Sequence, residues 1–225
     1  ASGIVIQGWK TLMTHPTIWK SNALTSLRSM AKTYGKENVM REIQSEIISR
    51  PNYDLMQKAK LDVGVKEEAF PESKILEKVP YLGRVHKSSD VGYTTFTHKT
   101  RADLFDMFIE KAQKNGVDID QQFLTNLGRF TNSMVGRGNV GHYTKAADIT
   151  NVLFFSPRNL KSHIDTVTAP ITGGASAREL LKGDNTGSGF VRKEAAMNLM
   201  KMVASTATIL AVANALRPNS VDADA

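Results

Sequence analysis

Apolar side chains recur every three or four residues along most of the chain, a spacing that places them on one face of an α-helix. The strongest stripe lies in residues 93–115, which we expect to end at Gly116. A second stripe follows at once, with Asp118 as its predicted N-cap. The two stripes consist of Phe96, Leu104, Phe105, Phe108, Ile109 and Ala112, and of Ile119, Phe123, Leu127, Phe130 and Met134. They predict an antiparallel helical hairpin.

Shorter helices are predicted on both sides of this hairpin. Residues 4–13 form an amphipathic segment that stops before Pro16, and residues 52–61 form another short one. A helix capped by Thr17 carries Leu24, Leu27, Ala31 and Tyr34 on one stripe, and the next carries Val39, Ile43 and Ile47. Residues 144–155 are predicted to be helical, and Ser156 and Pro157 should start a further helix as cap and first residue. No alternating stretch is long enough to predict a sheet.

Glycine and proline divide these helices into five regions. The predicted fold is all-α, an irregular multi-helix bundle with Gly/Pro-rich connectors and a long last helix rich in small residues. We expect an N-terminal helical part at 1–62, an irregular connector with a short helix at 63–90, and a central helical bundle at 91–170. A flexible linker around a short helix is predicted at 171–189, because Gly, Ser, Thr and Asn dominate there. The last apolar helix should occupy 190–217.

The last helix is the most informative physical feature. From Met202 to Leu216 it contains no charged side chain, and basic residues stand at both ends of it. Fifteen small residues are marginal for a membrane span, which needs about twenty, whereas small residues favour close contact between helices. A buried helix in a bundle or an oligomer is the favoured interpretation, and membrane contact stays open. The candidate assembly or membrane residues are Met202, Val203, Ile209, Leu210, Val212 and Leu216.

The amino-acid composition excludes some classes of site and favours one class of partner. The 225 residues include no cysteine, which excludes disulfides, cysteine-ligated metals and a cysteine nucleophile. The formal net charge is +7 and is dispersed along the chain, which favours anionic partners. Candidate phosphate or partner contacts near the turns are Arg137, Lys145, Arg158, Lys161, Arg192 and Lys193. The first residues contain no signal peptide, and neither end resembles a natural terminus, so we expect a piece of a longer protein.

No motif in the sequence predicts catalysis or a bound cofactor. Residues 136–141 match the pattern GxGxxG, but a dinucleotide site requires a preceding strand, and here a helix precedes them. Positive-φ turns between helices explain these glycines better. The five histidines have no metal-like spacing, and Ser156 stands in no nucleophile elbow. We therefore predict no catalytic residues, no metal and no cofactor.

Several strings of the sequence resemble a helical region of very large phage proteins, the large polyvalent-protein-associated class. In chain order they are THPTIWKSN (14–22), SRPNYDLMQKAKL (49–61), EEAF (67–70), KTRADLFD (99–106), FTNSMVGRGNVG (130–141), NVLFFSPRNLKSH (151–163) and VRKEAAMNLM (191–200). Such proteins are similar to internal virion or ejection proteins, which are packaged in the capsid and delivered with the genome. The resemblance implies no catalytic residues in this region, although enzymatic modules can lie elsewhere in such polypeptides.

The resulting expectation is a non-enzymatic structural region of a virion protein that is packaged in the particle, is ejected with the genome and assists DNA delivery into the host. The protein itself is expected in the virion and, after ejection, in the host cell envelope or cytoplasm. Its expected partners are other virion proteins of the portal or tail, further copies of itself in a homo-oligomer, double-stranded DNA bound non-specifically, and the host membrane. Two alternatives stay open. One is a DNA-associated accessory domain of a virion-borne enzyme such as an RNA polymerase, and the other is a membrane-channel element of the ejection machinery.

Overall fold

The computed structural model describes residues 2–34, 39–64, 80–136 and 157–217, and all regular structure within them is helical. The all-α prediction is therefore confirmed, including the long last helix. The described helices are α1 (Ser2–Thr14), α2 (Pro16–Tyr34), α3 (Val39–Ile48), α4 (Tyr53–Lys58), α5 (Pro80–Lys114), α6 (Gln121–Met134), α7 (Pro157–Thr172), α8 (Ala177–Lys182) and α9 (Gly189–Leu216). The predicted helices at 72–78 and 144–155 lie outside the described residues.

The core forms around the predicted hairpin of α5 and α6. All six apolar residues of the α5 stripe are buried, and the ring of Phe108 lies 5.5 Å from that of Phe130 on α6. Gly116 ends the turn after α5 with φ of +67°, as a helix-terminating glycine does. The cap of α6 is Asp120 and not the predicted Asp118, because the Asp120 carboxylate accepts the Phe123 N–H at 2.6 Å.

Helix α5 begins earlier than the sequence indicates. The predicted irregular connector at 63–90 is wrong from Pro80 onward, where the chain is already helical. Gly92, which lies just before the predicted start of this helix, is inside α5 at a point where α2 packs closely on it. At Gly92, a Cβ atom would lie only 2.1 Å from Cγ of Met30, so the glycine permits this approach.

The contact between α2 and α5 also overturns the predicted face of α2. Leu24, Leu27 and Ala31 are exposed, whereas the buried face carries Asn22, Ala23, Ser26 and Ser29. The Ser26 hydroxyl donates to the Gly92 carbonyl, and the Ser88 hydroxyl donates to the Met30 carbonyl, both at 2.6 Å. Small polar residues therefore form this contact, because their hydroxyl groups satisfy backbone carbonyls at short range. We call it the α2–α5 seam.

Two parts of the segment 171–189 pack against the body, around residues 173–175 and at Asn185, where the sequence predicted a flexible linker. The Asn185 and Asn126 side chains are buried and bonded to each other, with Asn185 donating at 2.9 Å. A Cβ atom on Gly174 would lie 2.4 Å from the Asn126 carbonyl oxygen, and one on Gly187 would lie 2.1 Å from that of Thr172. The glycines that suggested flexibility thus allow close backbone packing.

Candidate assembly surface

Helix α9 changes character halfway along its length. Its proximal half (residues 189–202) is packed, with Val191, Glu194, Ala195, Asn198 and Met202 buried. The Glu194 carboxylate, which is 3% exposed, pairs with the Lys111 ammonium of α5 at 2.6 Å. This ion pair compensates the cost of burying a carboxylate and fixes the proximal half against the hairpin.

The start of α9 is held by several hydrogen bonds. Ser188 is the N-cap, and its hydroxyl accepts the Val191 N–H at 3.4 Å. The Arg192 guanidinium donates to the Ile171 carbonyl at 2.9 Å and to the Thr186 carbonyl at 2.6 Å. These contacts join α9 to the end of α7 and to the loop that follows α8.

The distal half of α9 (residues 203–216) is exposed on nearly all sides. Val203 is 64%, Ile209 52% and Leu216 83% exposed, and Leu210 and Val212 are exposed as well. Of the six predicted assembly residues, only Met202 is buried, since it ends the packed half. The favoured expectation of a buried last helix therefore holds for the proximal half and fails for the distal half within one chain.

An apolar groove lies beside this helix, between α1, α7 and α9. Its volume is about 440 Å³, and Val167 of α7 stands on one wall while Val203, Ala207 and Leu210 stand on the other. Trp9 and His163 form its edge, with their rings 5.9 Å apart. A groove of this kind accepts an apolar side chain or one face of a helix.

Lys10 lies at the groove, and the sequence analysis missed it. Only 1% of this residue is exposed, and its ammonium donates to the Ser133 carbonyl, to the Ser162 hydroxyl at 3.0 Å and to the Thr166 hydroxyl at 3.1 Å. Burial lowers the pKa of Lys10 from 10.5 to about 7, against a smaller opposing effect of Asp165. It connects α1 to α6 and α7. The available signal was that Lys10 is the only charged residue in α1.

A second polar cluster brings together three of the strings on which the phage resemblance rests. The Arg50 guanidinium binds Asp103 at 2.7 Å and Asp106 at 2.8 Å. The amides of Asn22 and Asn52 donate to the same two carboxylates, at 2.6 and 3.0 Å. These side chains come from the strings at 14–22, 49–61 and 99–106. They join α2, the turn between α3 and α4, and α5, as structural ion pairs do.

The predicted phosphate contacts do not form one described site. Arg137, Lys145 and the Arg158 side chain lie outside the described residues. Lys161 pairs with Asp165 on its own helix, and Arg192 binds backbone carbonyls. Lys193 is exposed. The phosphate-binding role stays a prediction.

The remaining motifs contribute turns and packing. Gly136 has φ of +79°, as expected for a turn, and residues 137–141 of the GxGxxG pattern lie outside the described part of the chain. Within the described ranges, no group of three or more His, Asp or Glu side chains is arranged to hold a metal ion. Ser156, the predicted cap of α7, is not described, but α7 begins at Pro157 as predicted.

Comparison with known proteins adds no assignment: the chain matches no family profile, no curated protein and no solved structure.

Proposed function

We propose that this chain is a non-enzymatic structural region of a phage virion protein, packaged in the particle and ejected with the genome to assist DNA delivery. The virion context rests on the resemblance of the seven strings. In this proposal the packed body is a scaffold, and the distal half of α9 attaches it to other virion proteins of the portal or tail or to further copies of the chain.

The observation that carries the proposal is the exposed distal half of α9. Large exposed apolar patches on a packed protein mark contact sites for proteins or membranes. The proximal half, which contains charged residues, is the half that the body buries. An attachment element with a packed base and an exposed apolar end fits a structural component of a larger assembly.

The arrangement of the ionisable side chains supports a role without catalysis. Arg129 and Glu179 form a bidentate pair, with one contact of 2.9 Å, and this pairing lowers the pKa of Glu179 to about 2. Lys111 with Glu194, and Arg50 with its two aspartates, are also satisfied within the fold. Such pairs hold helices together, whereas a catalytic acid or base must reach a substrate.

The test is to combine mass spectrometry of purified virions with a genetic change of the distal helix. In the phage that encodes the chain, Val203→Asp with Ile209→Asp should leave capsid assembly intact and reduce infection at least about 100-fold, because charges on the distal half block attachment. The matched control, Val203→Ala with Ile209→Ala, keeps the distal half apolar and should infect nearly normally. Absence of the protein from purified virions would overturn the proposal.

A membrane element is the second candidate, because Gly189–Leu216 is the one described helix long and apolar enough to cross a bilayer by length and composition. Leakage of phosphatidylcholine liposomes on addition of the chain, abolished by the same double aspartate substitution, would favour this role. If the chain causes no leakage and also does not float with liposomes, the membrane role is excluded.

A further inference from the structure

Helix α7 carries a row of exposed apolar side chains. They are Leu160, Ile164, Val167 and Ile171, and each is more than half exposed. The successive spacings of four, three and four residues are those of a heptad seam, which keeps side chains on one face over several turns. Packing of α7 on the core of its own chain does not explain this exposed apolar row.

Helix α9 carries a similar row, and part of it forms the opposite wall of the groove. Met200, Val203, Ala207 and Leu210 follow spacings of three, four and three residues, and all four are exposed. Val167 of α7 and Val203 of α9 both line the groove. The two rows meet at the groove through Val167 on one side and Val203, Ala207 and Leu210 on the other, and the rest of each row is exposed beside it.

The surface favours an uncharged, apolar occupant, and a second copy of the chain offers one in its own distal α9. Lys10 lines the groove, but it is 1% exposed and its ammonium is bonded within the fold. The two rows contain no charged side chain, although the chain carries a net charge of +7. Two copies can therefore meet here without bringing like charges into direct contact, and a nucleic acid would find no cation in either row. The distal half spans only about 21 Å at 1.5 Å per residue, less than the roughly 30 Å of a bilayer core.

The shape of the surface also favours self-association. A two-fold contact uses the same patch on both partners, so the patch must contain both a groove and the element that the groove accepts. Here the groove and the exposed distal half of α9, which forms one of its walls, adjoin each other. One copy offers the helix that the other copy's groove accepts, and the reverse contact forms at the same time.

We propose that two copies of this chain associate through α7 and α9, each placing the distal half of its α9 in the groove of the other. This deepens the proposed function, on which it rests for its role in the particle, by naming a second copy as the partner. Leu210 and Ala207 then lie near the centre of the interface, and Thr208, which points to the other side of α9, lies away from it.

The full chain tests this by sedimentation equilibrium over a range of concentrations. We expect a monomer–dimer equilibrium, and Leu210→Asp should raise the dimer dissociation constant at least about 100-fold, because each dimer would bury two unpaired charges. Thr208→Asp is the matched control on the same exposed helix and should change the constant less than about threefold. A monomer at all concentrations, or equal effects of the two substitutions, would contradict the proposal.

The absence of cysteine allows a second test that does not depend on stability. Ala207→Cys should form a disulfide-linked dimer on mild oxidation, whereas Thr208→Cys should form little. Equal cross-linking of the two variants would overturn the proposed face. Flotation of a monomeric protein with phosphatidylcholine vesicles would overturn it in favour of a lipid occupant. Detection of the protein in virions is independent of all these results, so a monomer found in virions would reject the dimer alone.

Discussion

The two halves of α9 invert the usual relation between composition and burial. The proximal half carries Glu194 and Asn198 and buries both, whereas the distal half has no charged side chain and exposes Val203, Ile209 and Leu216. The difference arises because the hairpin and α7 bury one side of the first half, whereas the second half meets the body along the groove, where the Ser205 hydroxyl donates to the Met13 carbonyl of α1 at 3.2 Å. Burial in one chain therefore depends on the available neighbours as well as on hydrophobicity. The distal half has the composition of an interface, but the single chain does not cover it.

The largest expected effect is the loss of stability when an aspartate is placed in the packed half and not in the exposed half. Ala195→Asp places an unpaired carboxylate at a position that is 2% exposed and should destabilise the chain by at least about 4 kcal/mol. Ala204→Asp makes the same change at an exposed position and should cost less than about 1 kcal/mol. Urea unfolding followed by circular dichroism, at concentrations too low for association, measures both. Similar losses would mean that the distal half is also covered in the monomer.

The next largest effect is a dependence of stability on pH, caused by Lys10 at the groove. Below about pH 7 this amine is charged in both the folded and the unfolded chain, and the full cost of its burial applies. Above that pH only the unfolded chain keeps the proton, until the pKa of 10.5 is reached, so folding becomes more favourable as pH rises. Relative to Lys10→Met, which has no such proton, the free energy of unfolding should rise by about 3 kcal/mol between about pH 7 and about pH 9.5.

Thermal or urea unfolding of the unsubstituted chain and of the Lys10→Met variant across this range measures that difference. A constant difference between the two proteins at all pH values would show that the buried amine keeps its proton.

The boundary between the halves can be located by a neighbouring pair of truncations. Met202→Ala should cost about 2 kcal/mol, because it removes a buried side chain and leaves a cavity. Val203→Ala should change the free energy of unfolding of the monomer by less than about 0.5 kcal/mol. If Val203→Ala proves as costly as Met202→Ala, the packed half extends farther along the helix than these contacts indicate.

The smallest effect concerns the ion pair of the proximal half. Glu194→Gln keeps an oxygen acceptor for the Lys111 ammonium but removes the charge, and should cost about 1 kcal/mol. Exposed Glu110 pairs with Lys114 on the same helix and offers a control, since Glu110→Gln should change the free energy of unfolding much less than Glu194→Gln does. Equal costs would indicate that Glu194 is hydrated and that the proximal half is more open.

Large side chains made the hairpin predictable from the sequence. Phe105, Phe108, Leu127 and Phe130 recur at helical spacing and find their partners within α5 and α6, so the periodic pattern and the packing agree. The same reasoning failed for α2. Its leucines gave the stronger signal, but α5 selects the face with Ser26 and Ser29, because backbone carbonyls lie within reach there. A helix's buried face depends on its neighbour, and a single sequence does not contain that neighbour's position.

The candidate surface was predictable in part. The uncharged composition of 202–216 indicated a helix in need of a partner, and α9 forms as predicted. The groove was not predictable, since it requires α1, α7 and α9 to meet. The row on α7 was visible as heptad spacing, but only its exposure distinguishes an outer row from a core stripe. The prediction of a flexible linker at 171–189 did not anticipate the packing at its glycines, because mobile segments and tightly packed backbone can both be rich in glycine.

The α2–α5 seam has a consequence for how stability varies with temperature. The heat-capacity change of unfolding comes from exposing apolar surface, and exposing polar surface lowers it. Ser26, Ser29 and Ser88 contribute hydroxyl groups where most helix pairs bury leucine or valine. Unfolding of this seam therefore adds less to the heat capacity than unfolding of the hairpin does. Its contribution to stability should fade less on cooling, so that in the cold α2 and the first half of α5 stay together while the phenylalanine core weakens.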